Sequence, residues 1–215
     1  MPDEAGGKGY PFPAGLAEAV SMTRVFFLSP SRLDGRRASM LLREGADFEL
    51  AQRFQRGEAT LGEVYAFISG LYFRGKLSYG ERFGAVRVIV PGRGLMLPSR
   101  VITPQDFHAI SSVDLNASNS LYREPLVRDV QELMDTVSDD SEFVLLGSVA
   151  TPKYTEPLLS ALGGRLYFPS DFVGRGDMSR GGLLLRAVAA ETELSYQPIL
   201  GAILRGPRPG KLRPY

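Results

Sequence analysis

Four short apolar runs, separated by segments with helical spacing, most strongly constrain the fold of this 215-residue chain. The runs are Thr23–Leu28, Val86–Val90, Phe143–Leu146 and Leu166–Phe168, and a fifth is predicted over Tyr196–Leu204. Largely apolar runs of this length are typical of strands that are covered on both faces. Because strands that alternate with helices form parallel sheets, we predict an α/β fold. The expected architecture is a mainly parallel sheet of four to five strands with helices on both faces.

The segments between and beside the strands carry the helical patterns. The predicted helices are Ala14–Ser21, Ala38–Leu42, Phe48–Gln55, Leu61–Ile68, Gly75–Phe83, Pro104–Ile110, Pro125–Val137, a helix that runs from the N-cap Thr151 to Leu162, and Gly182–Glu191. Pro169–Ser179 is predicted to be a long polar loop. We therefore expect one α/β domain over residues 14–204. A flexible lead over residues 1–13 precedes it, and a basic flexible tail over residues 205–215 follows it.

The near-neutral net charge of +1 conceals three charged segments. Residues 24–43 hold five arginines and one acid, and residues 205–215 hold three arginines, one lysine and no acid, so each segment has a net charge of +4. Residues 114–142 hold eight acids and two arginines, a net charge of −6. This distribution is compatible with a polyanionic partner on one face. A solvated surface whose charges happen to cluster is the alternative.

The composition excludes several classes of site. The chain has no cysteine, which excludes disulfides, thiolate nucleophiles and Cys-ligated metals. Its single histidine, His108, excludes a multi-histidine centre; a surface or hydrogen-bonded histidine is favoured over a catalytic base. We assign no metal site and no cofactor, while a metal held by carboxylates alone stays open.

The N-terminal residues lack the pattern of a targeting peptide, because no basic region precedes an apolar run. The longest apolar stretches are also far too short to span a bilayer. We therefore predict a cytoplasmic protein with no membrane association.

Polar residues follow the predicted strands where parallel strands place ligand sites, at their carboxyl ends. The candidate binding and catalytic residues there are Ser29, Ser31 and Arg32 after the first strand, Arg93 and Gly94 after the second, Ser148, Lys153 and Tyr154 after the third, and Asp171, Arg175, Gly176, Asp177, Ser179 and Arg180 after the fourth. Taken singly, these residues also fit ordinary strand-to-helix turns, and Asp177 also fits a helix cap. Their recurrence at one edge favours a shared site.

The segment Gly70–Phe83 interleaves aromatic and basic residues, as a nucleic-acid surface does. The alternative is that Tyr72 and its aromatic neighbours belong to the core, since they recur at helical spacing. For the functional interpretation, the predicted anion contacts are Arg32, Arg93, Lys153, Arg175 and Arg180. Tyr72 or Tyr154 would stack on a base, and Asp171 or Asp177 would read its edge.

Two other functions remain open from the residues. One is a hydrolase in which Asp171 or Asp177 acts as general acid or base and Ser148 or Tyr154 assists. The other is a protein-interaction module that docks through the acidic middle and the basic tail.

The order of motifs resembles YaaA-type proteins and a related bacterial and phage domain of unknown function. The segments that carry the resemblance are VFFLSPSRLDG at 25–35, LYFRGKLSYGERFG at 71–84, VIVPGRGLMLP at 88–98, VLLGSVATPKYTEPLL at 144–159 and LYFPSDFVGRGD at 166–177. The resemblance implies a nucleobase or nucleic-acid partner, since some relatives accompany enzymes that place 7-deazaguanine bases in DNA or tRNA. Ser29 stands where many relatives have a cysteine, so no thiol role carries over to this chain. We therefore predict a nucleobase-, nucleotide- or nucleic-acid-binding protein, an accessory or an enzyme of DNA or RNA base modification.

Overall fold

A computed structural model describes residues 24–210 and 212 of the chain. The predicted lead over residues 1–13 and the predicted helix Ala14–Ser21 lie outside the described residues. The described elements, in order, are β1 (Arg24–Leu28), α1 (Arg36–Leu42), α2 (Glu49–Gln55), α3 (Leu61–Ser69), α4 (Leu71–Phe83), β2 (Ala85–Val90), β3 (Gly94–Met96), α5 (Pro104–Ser111), α6 (Ser120–Met134), β4 (Glu142–Leu146), α7 (Pro152–Leu162), β5 (Leu166–Pro169), α8 (Asp177–Ala189) and β6 (Tyr196–Pro198). Within this part of the chain no helix has the length and apolarity needed to cross a membrane.

The strands form one mixed sheet in the order β3-β2-β1-β4-β5-β6. The four central strands are parallel, and the two edge strands pair antiparallel with their neighbours. The predicted α/β class and the mainly parallel sheet are confirmed, but the sheet has six strands rather than four or five. The prediction missed β3, which has only three residues and lies directly after the turn that follows β2. It also made the last strand too long, since β6 ends at Pro198 rather than Leu204.

The two strands at the centre of the sheet are buried on both faces. Val25–Leu28 of β1 and Phe143–Leu146 of β4 are all 0% exposed. Because successive side chains of a strand point to opposite faces, both faces of the sheet are covered at this point. On one face the rings of Phe27 and Phe143 stack with their centroids 5.7 Å apart. This burial explains why apolar residues in these strands do not alternate with polar ones.

Three helices begin earlier than the sequence predicts. α4 begins at Leu71 rather than Gly75, α6 at Ser120 rather than Pro125, and α8 at Asp177 rather than Gly182. The first turns of α8 contain the pair Gly181–Gly182, which lowers helix propensity. Close packing of α8 on α4 outweighs that propensity. As a result, Asp177 and Ser179 lie on a helix and not in the predicted polar loop, and Arg180 lies on the same helix.

The order of the parallel strands creates a switch point between β1 and β4. β2 lies on one side of β1 and β4 on the other, so the connections that leave these strands diverge and open a crevice at their carboxyl ends. The segments that leave the two strands touch there: a Cβ on Gly147 would lie 2.9 Å from the Cβ of Ser29. Only a residue without a side chain fits at position 147. Ser29 and its neighbours therefore lie at the position where an open parallel sheet places a ligand site.

Candidate functional site

A buried lysine lies beside the end of β1. Because α4 runs antiparallel to β1, Gly84 at the end of the helix lies against the carbonyl of Arg24, while Lys76 reaches Ser29 at the opposite end of the strand. The Lys76 Nζ donates to the Ser29 carbonyl oxygen at 2.5 Å and to the Ser29 Oγ at 2.9 Å. Lys76 is 1% exposed and Ser29 is 5% exposed. This pair is the centre of the candidate site.

The surroundings of Lys76 disfavour its charged form. Burial and, to a smaller extent, the Arg180 guanidinium lower its pKa to about 7, while Asp177 acts in the opposite direction. The Nζ lies 4.5 Å from the ring centroid of Tyr72 and 5.0 Å from that of Phe73. No carboxylate among the described residues forms an ion pair with it. A substantial fraction of Lys76 is therefore a neutral amine near pH 7.

Helix α8 brings Arg180 and Asp177 to the same place. Arg180 is 7% exposed, and its Nε and Nη2 donate to the carbonyl oxygen of Phe172 at 3.3 and 3.0 Å. Its Nη1 lies 3.7 Å from the Asp177 Oδ1, whose side chain is 71% exposed. One cation is thus held inside the fold, and its carboxylate partner faces solvent.

Unpartnered buried polar atoms lie around the crevice. The hydroxyl of Tyr65 and the Nε of Arg175 are buried and have no hydrogen-bond partner among the described residues, and the buried Tyr72 hydroxyl has the Arg180 guanidinium beside it. Burial raises the pKa of Tyr65 and of Tyr72. Buried polar groups are nearly always satisfied, so these atoms are hydrogen-bonding groups available to water or to a ligand.

Tyr154 interacts electrostatically with these groups. Burial raises its pKa, and the neighbouring Tyr72 and Asp177 raise it further; Tyr154 in turn raises the pKa of Tyr65. Tyr154 is 5% exposed and comes from the first turn of α7, after β4. Side chains that follow β1, β4 and β5 therefore form one cluster with side chains of α3 and α4.

Of the predicted site residues, the structure brings Ser29, Tyr72, Tyr154, Asp177 and Arg180 into this cluster. The Ser31 Oγ donates to the Tyr65 carbonyl oxygen at 2.9 Å and so fixes α3 beside the cluster. Gly176 is the N-cap of α8, and no side chain caps that helix. The Arg175 Nη1 donates to the Ser179 Oγ at 3.2 Å, so these two residues hold each other at the start of α8.

The other predicted residues have their own partners or face solvent. Arg32 pairs with Asp34 at 2.7 Å and its side chain is 87% exposed. Arg93 pairs with Asp106 on α5 at 3.0 Å. Gly94 has a φ of +72°, and a Cβ there would collide with Asp129 of α6, so its role is in packing.

Three further candidates lie at the rim without a shared contact. Asp171 is exposed in the 3₁₀ turn Ser170–Phe172. The Ser148 Oγ accepts from the Thr151 Oγ1 at 3.5 Å, a weak contact, and no base lies beside it among the described residues. The Lys153 Nζ lies 5.0 Å from the ring centroid of Tyr154. His108 is exposed on α5.

Sequence reasoning gave no site role to Lys76 or Tyr65. It considered Lys76 only as one cation on an aromatic, phosphate-binding surface. A signal was present, because Lys76 shares one helix face with Tyr72, Tyr79 and Phe83, at spacings of three and four residues. This position on the apolar face of the helix predicts that the lysine is buried.

A basic depression lies at the same end of the sheet. It has a volume of ≈ 460 Å³ and is lined by Arg37, Met40, Ala66, Phe67, Gly70 and Arg74. Arg37 donates to the Phe67 carbonyl oxygen at 3.1 Å, and neither arginine pairs with a described carboxylate. A second depression, of ≈ 430 Å³, lies between Gly92 and α6 and contains none of the cluster residues.

The described part of the tail runs past the start of α8. The Arg205 Nη2 donates to the Ala150 carbonyl oxygen at 3.2 Å. Gly174, with a φ of +71°, lies against the carbonyl of Pro207, and Gly182 lies near Leu212. The tail thus follows the loop that joins β5 to α8.

Comparison with protein-family models, with curated proteins and with solved structures gives no match to this chain. The resemblance to YaaA-type proteins therefore stays a prediction from its motifs. Among the described residues no group of three or more histidine, aspartate or glutamate side chains is placed to hold a metal ion. The geometry of the cluster and of the basic depression is thus the basis for a functional proposal.

Proposed function

We propose that this protein binds single-stranded nucleic acid at the carboxyl end of its parallel sheet, with a phosphate in the basic depression and a base toward the switch-point crevice. The observation that carries the proposal is the pair Arg37 and Arg74, which have no carboxylate partner among the described residues and flank an apolar floor. Unpaired guanidiniums bind phosphates with fork geometry. An apolar floor between them suits the face of a base or a sugar.

The depression and the crevice share their supporting elements. Tyr65 and Phe67 come from the same turns of α3, so that one helix contributes to both. Tyr72 and Arg74 come from the first turn of α4 in the same way. The Tyr72 hydroxyl, which lies beside Arg180, is a hydrogen-bonding group for a base edge.

The experiment is a titration of the protein into fluorescein-labelled 20-nucleotide single strands of DNA and of RNA, followed by fluorescence anisotropy from 50 to 300 mM NaCl. Because phosphate contacts release counterions, affinity should fall with salt, with a slope of about −0.7 for each contact on a single strand. The double variant Arg37→Gln/Arg74→Gln should weaken binding and make the slope shallower by about 1.4 for the two contacts removed.

Arg82→Gln is the matched control. Arg82 lies on the same helix as Arg74 but at its opposite end, where it pairs with Glu191 at 2.9 Å. Its replacement should leave affinity and salt slope unchanged. Absence of binding at 50 mM NaCl, or equal losses in the double variant and in the control, contradicts the proposal.

A further inference from the structure

We propose that Ser29 and Lys76 form a serine–lysine dyad in which Ser29 is a nucleophile and Lys76 is its general base, acting on a carboxylic ester with a small acyl group. The proposal goes beyond nucleic-acid binding and does not rest on it. It depends on Ser29 and Lys76 at the switch point, whereas the observation behind the binding proposal is the pair of arginines in the depression.

The contact between the two side chains has the geometry of a nucleophile and its base. The Ser29 Oγ and the Lys76 Nζ are 2.9 Å apart, within the distance over which such pairs transfer a proton. The second contact of the Nζ, at 2.5 Å to the Ser29 carbonyl oxygen, fixes the amine beside the hydroxyl. In the structure the Nζ donates to both oxygens; once neutral, the amine keeps its contact with the carbonyl oxygen and accepts the Oγ–H with its lone pair.

The groups that face Lys76 keep it able to accept a proton. On α4 the nearest are the rings of Tyr72 and Phe73, and on α8 they are Arg180 and the solvent-facing Asp177. Burial and Arg180 favour the neutral amine, and Asp177 opposes them. The resulting pKa of about 7 places the change of protonation at the pH where a general base works best.

Access from solvent to the Ser29 Oγ is narrow. Ser29 is 5% exposed, and Gly147 lies directly against it. An acyl group the size of acetate fits this restriction better than a long chain. The ring of Tyr72 covers Lys76, and its hydroxyl, which lies beside Arg180, is a donor for the substrate oxygen.

Hydrolysis of the ester at this dyad needs no reactant other than water. The Ser29 Oγ forms a bond to the ester carbonyl carbon, its proton passes to the Lys76 Nζ, and the carbonyl π electrons move to the oxygen. When the carbonyl re-forms, the bond to the leaving alkoxide breaks and the Lys76 ammonium returns the proton to it. Water then attacks the acyl-serine in the same way, with Lys76 taking its proton, and the Ser29 Oγ leaves as a hydroxyl.

The test uses the full chain and an alkyl fluorophosphonate, which labels activated serines as the Oγ–P bond forms and fluoride leaves. Intact-mass and peptide mass spectrometry should find one adduct, on Ser29, and the rate of labelling should rise with pH with a midpoint near 7. Ser29→Ala should abolish the adduct, and Lys76→Met should slow labelling about 100-fold. Ser78→Ala, on the same helix and outside the cluster, should label as the wild type does.

Three results overturn the proposal. They are no adduct on Ser29 between pH 5 and pH 9, an adduct whose rate is unchanged by Lys76→Met, and labelling that rises only above pH 9. Circular dichroism shows whether Lys76→Met is folded. Where that variant is unfolded, the pH midpoint of the wild type decides, because labelling with a midpoint near 7 requires a base that titrates there.

Discussion

Gly75 of α4 and Gly181 of α8 touch backbone to backbone. A Cβ on Gly75 would lie 2.7 Å from the carbonyl oxygen of Gly181, and a Cβ on Gly181 would lie 2.8 Å from that of Leu71. The neighbours of these glycines in the chain are Lys76 and Arg180. The helix crossing therefore determines that the two buried cations of the cluster lie close together.

Gly75→Ala should destabilise the protein by about 1–3 kcal/mol, because the added methyl meets backbone that cannot rotate away. Urea unfolding measures the change. Gly164→Ala is the matched control, since a Cβ at that position has nothing within 4 Å. The control should be neutral or slightly stabilising. Equal stability of Gly75→Ala and wild type would show that the helices separate at no cost.

The pKa of Lys76 makes stability depend on pH. The folded-state pKa of about 7 lies below the ordinary value of 10.5, so between these values the unfolded chain binds the extra proton. The free energy of unfolding should therefore rise with pH above 7, by up to about 1.4 kcal/mol per unit.

Lys76→Met removes this titration and keeps the volume of the side chain. The difference in unfolding free energy between Lys76→Met and wild type should favour the variant at pH 6–7 and shrink toward pH 9.5. Urea unfolding of both proteins at four pH values checks this. A difference that does not change with pH would show that Lys76 stays charged in the folded protein.

Tyr65→Phe should leave the stability of the free protein unchanged or raise it by up to about 1 kcal/mol, because the hydroxyl it removes is buried without a partner. Tyr122→Phe is the contrast. The Tyr122 hydroxyl donates to the Lys153 carbonyl oxygen at 2.9 Å, and its loss should cost about 1 kcal/mol or more. In thermal and urea unfolding, the free energy of unfolding should fall in Tyr122→Phe and stay equal or rise in Tyr65→Phe. A Tyr65→Phe loss as large as that of Tyr122→Phe would contradict the prediction.

Glu63 at the start of α3 should contribute to stability in a pH-dependent way. Arg53 and the Thr60 cap lower its pKa from 4.5 to about 2. The stabilisation is therefore complete above pH 4.5 and is lost as the pH falls through 2. Glu63→Gln should cost about 1 kcal/mol at pH 7, and the difference from wild type should disappear near pH 2. Glu58→Gln, at an exposed ion pair with Arg56, should cost less at pH 7.

The sequence alone was sufficient to predict the features that depend on the pattern of apolar residues along the chain. The apolar runs of β1 and β4 predict a sheet covered on both faces, and Val25–Leu28 and Phe143–Leu146 are fully buried. Ser29 and Tyr154 follow these strands, so strand order alone predicts that they lie at one edge. These inferences need only local pattern and topology.

The remaining features depend on contacts between distant elements. The apolar face of α4 indicates that Lys76 is buried, but nothing local to α4 shows that α8 is the helix that covers it. The early start of α8 likewise depends on the contact between Gly75 and Gly181. Arg93 was predicted as an anion contact, but its partner Asp106 belongs to a helix that only the tertiary fold brings near.

The two outermost strands, β3 and β6, affect how copies of this protein behave toward one another. Each has only three residues, and β6 ends in Pro198, which offers no N–H group. Long, flat edge strands are where chains join their sheets and begin to aggregate, and short strands or prolines at the edge suppress this. This sheet therefore offers little template for strand exchange, which favours a protein that remains dispersed at high concentration.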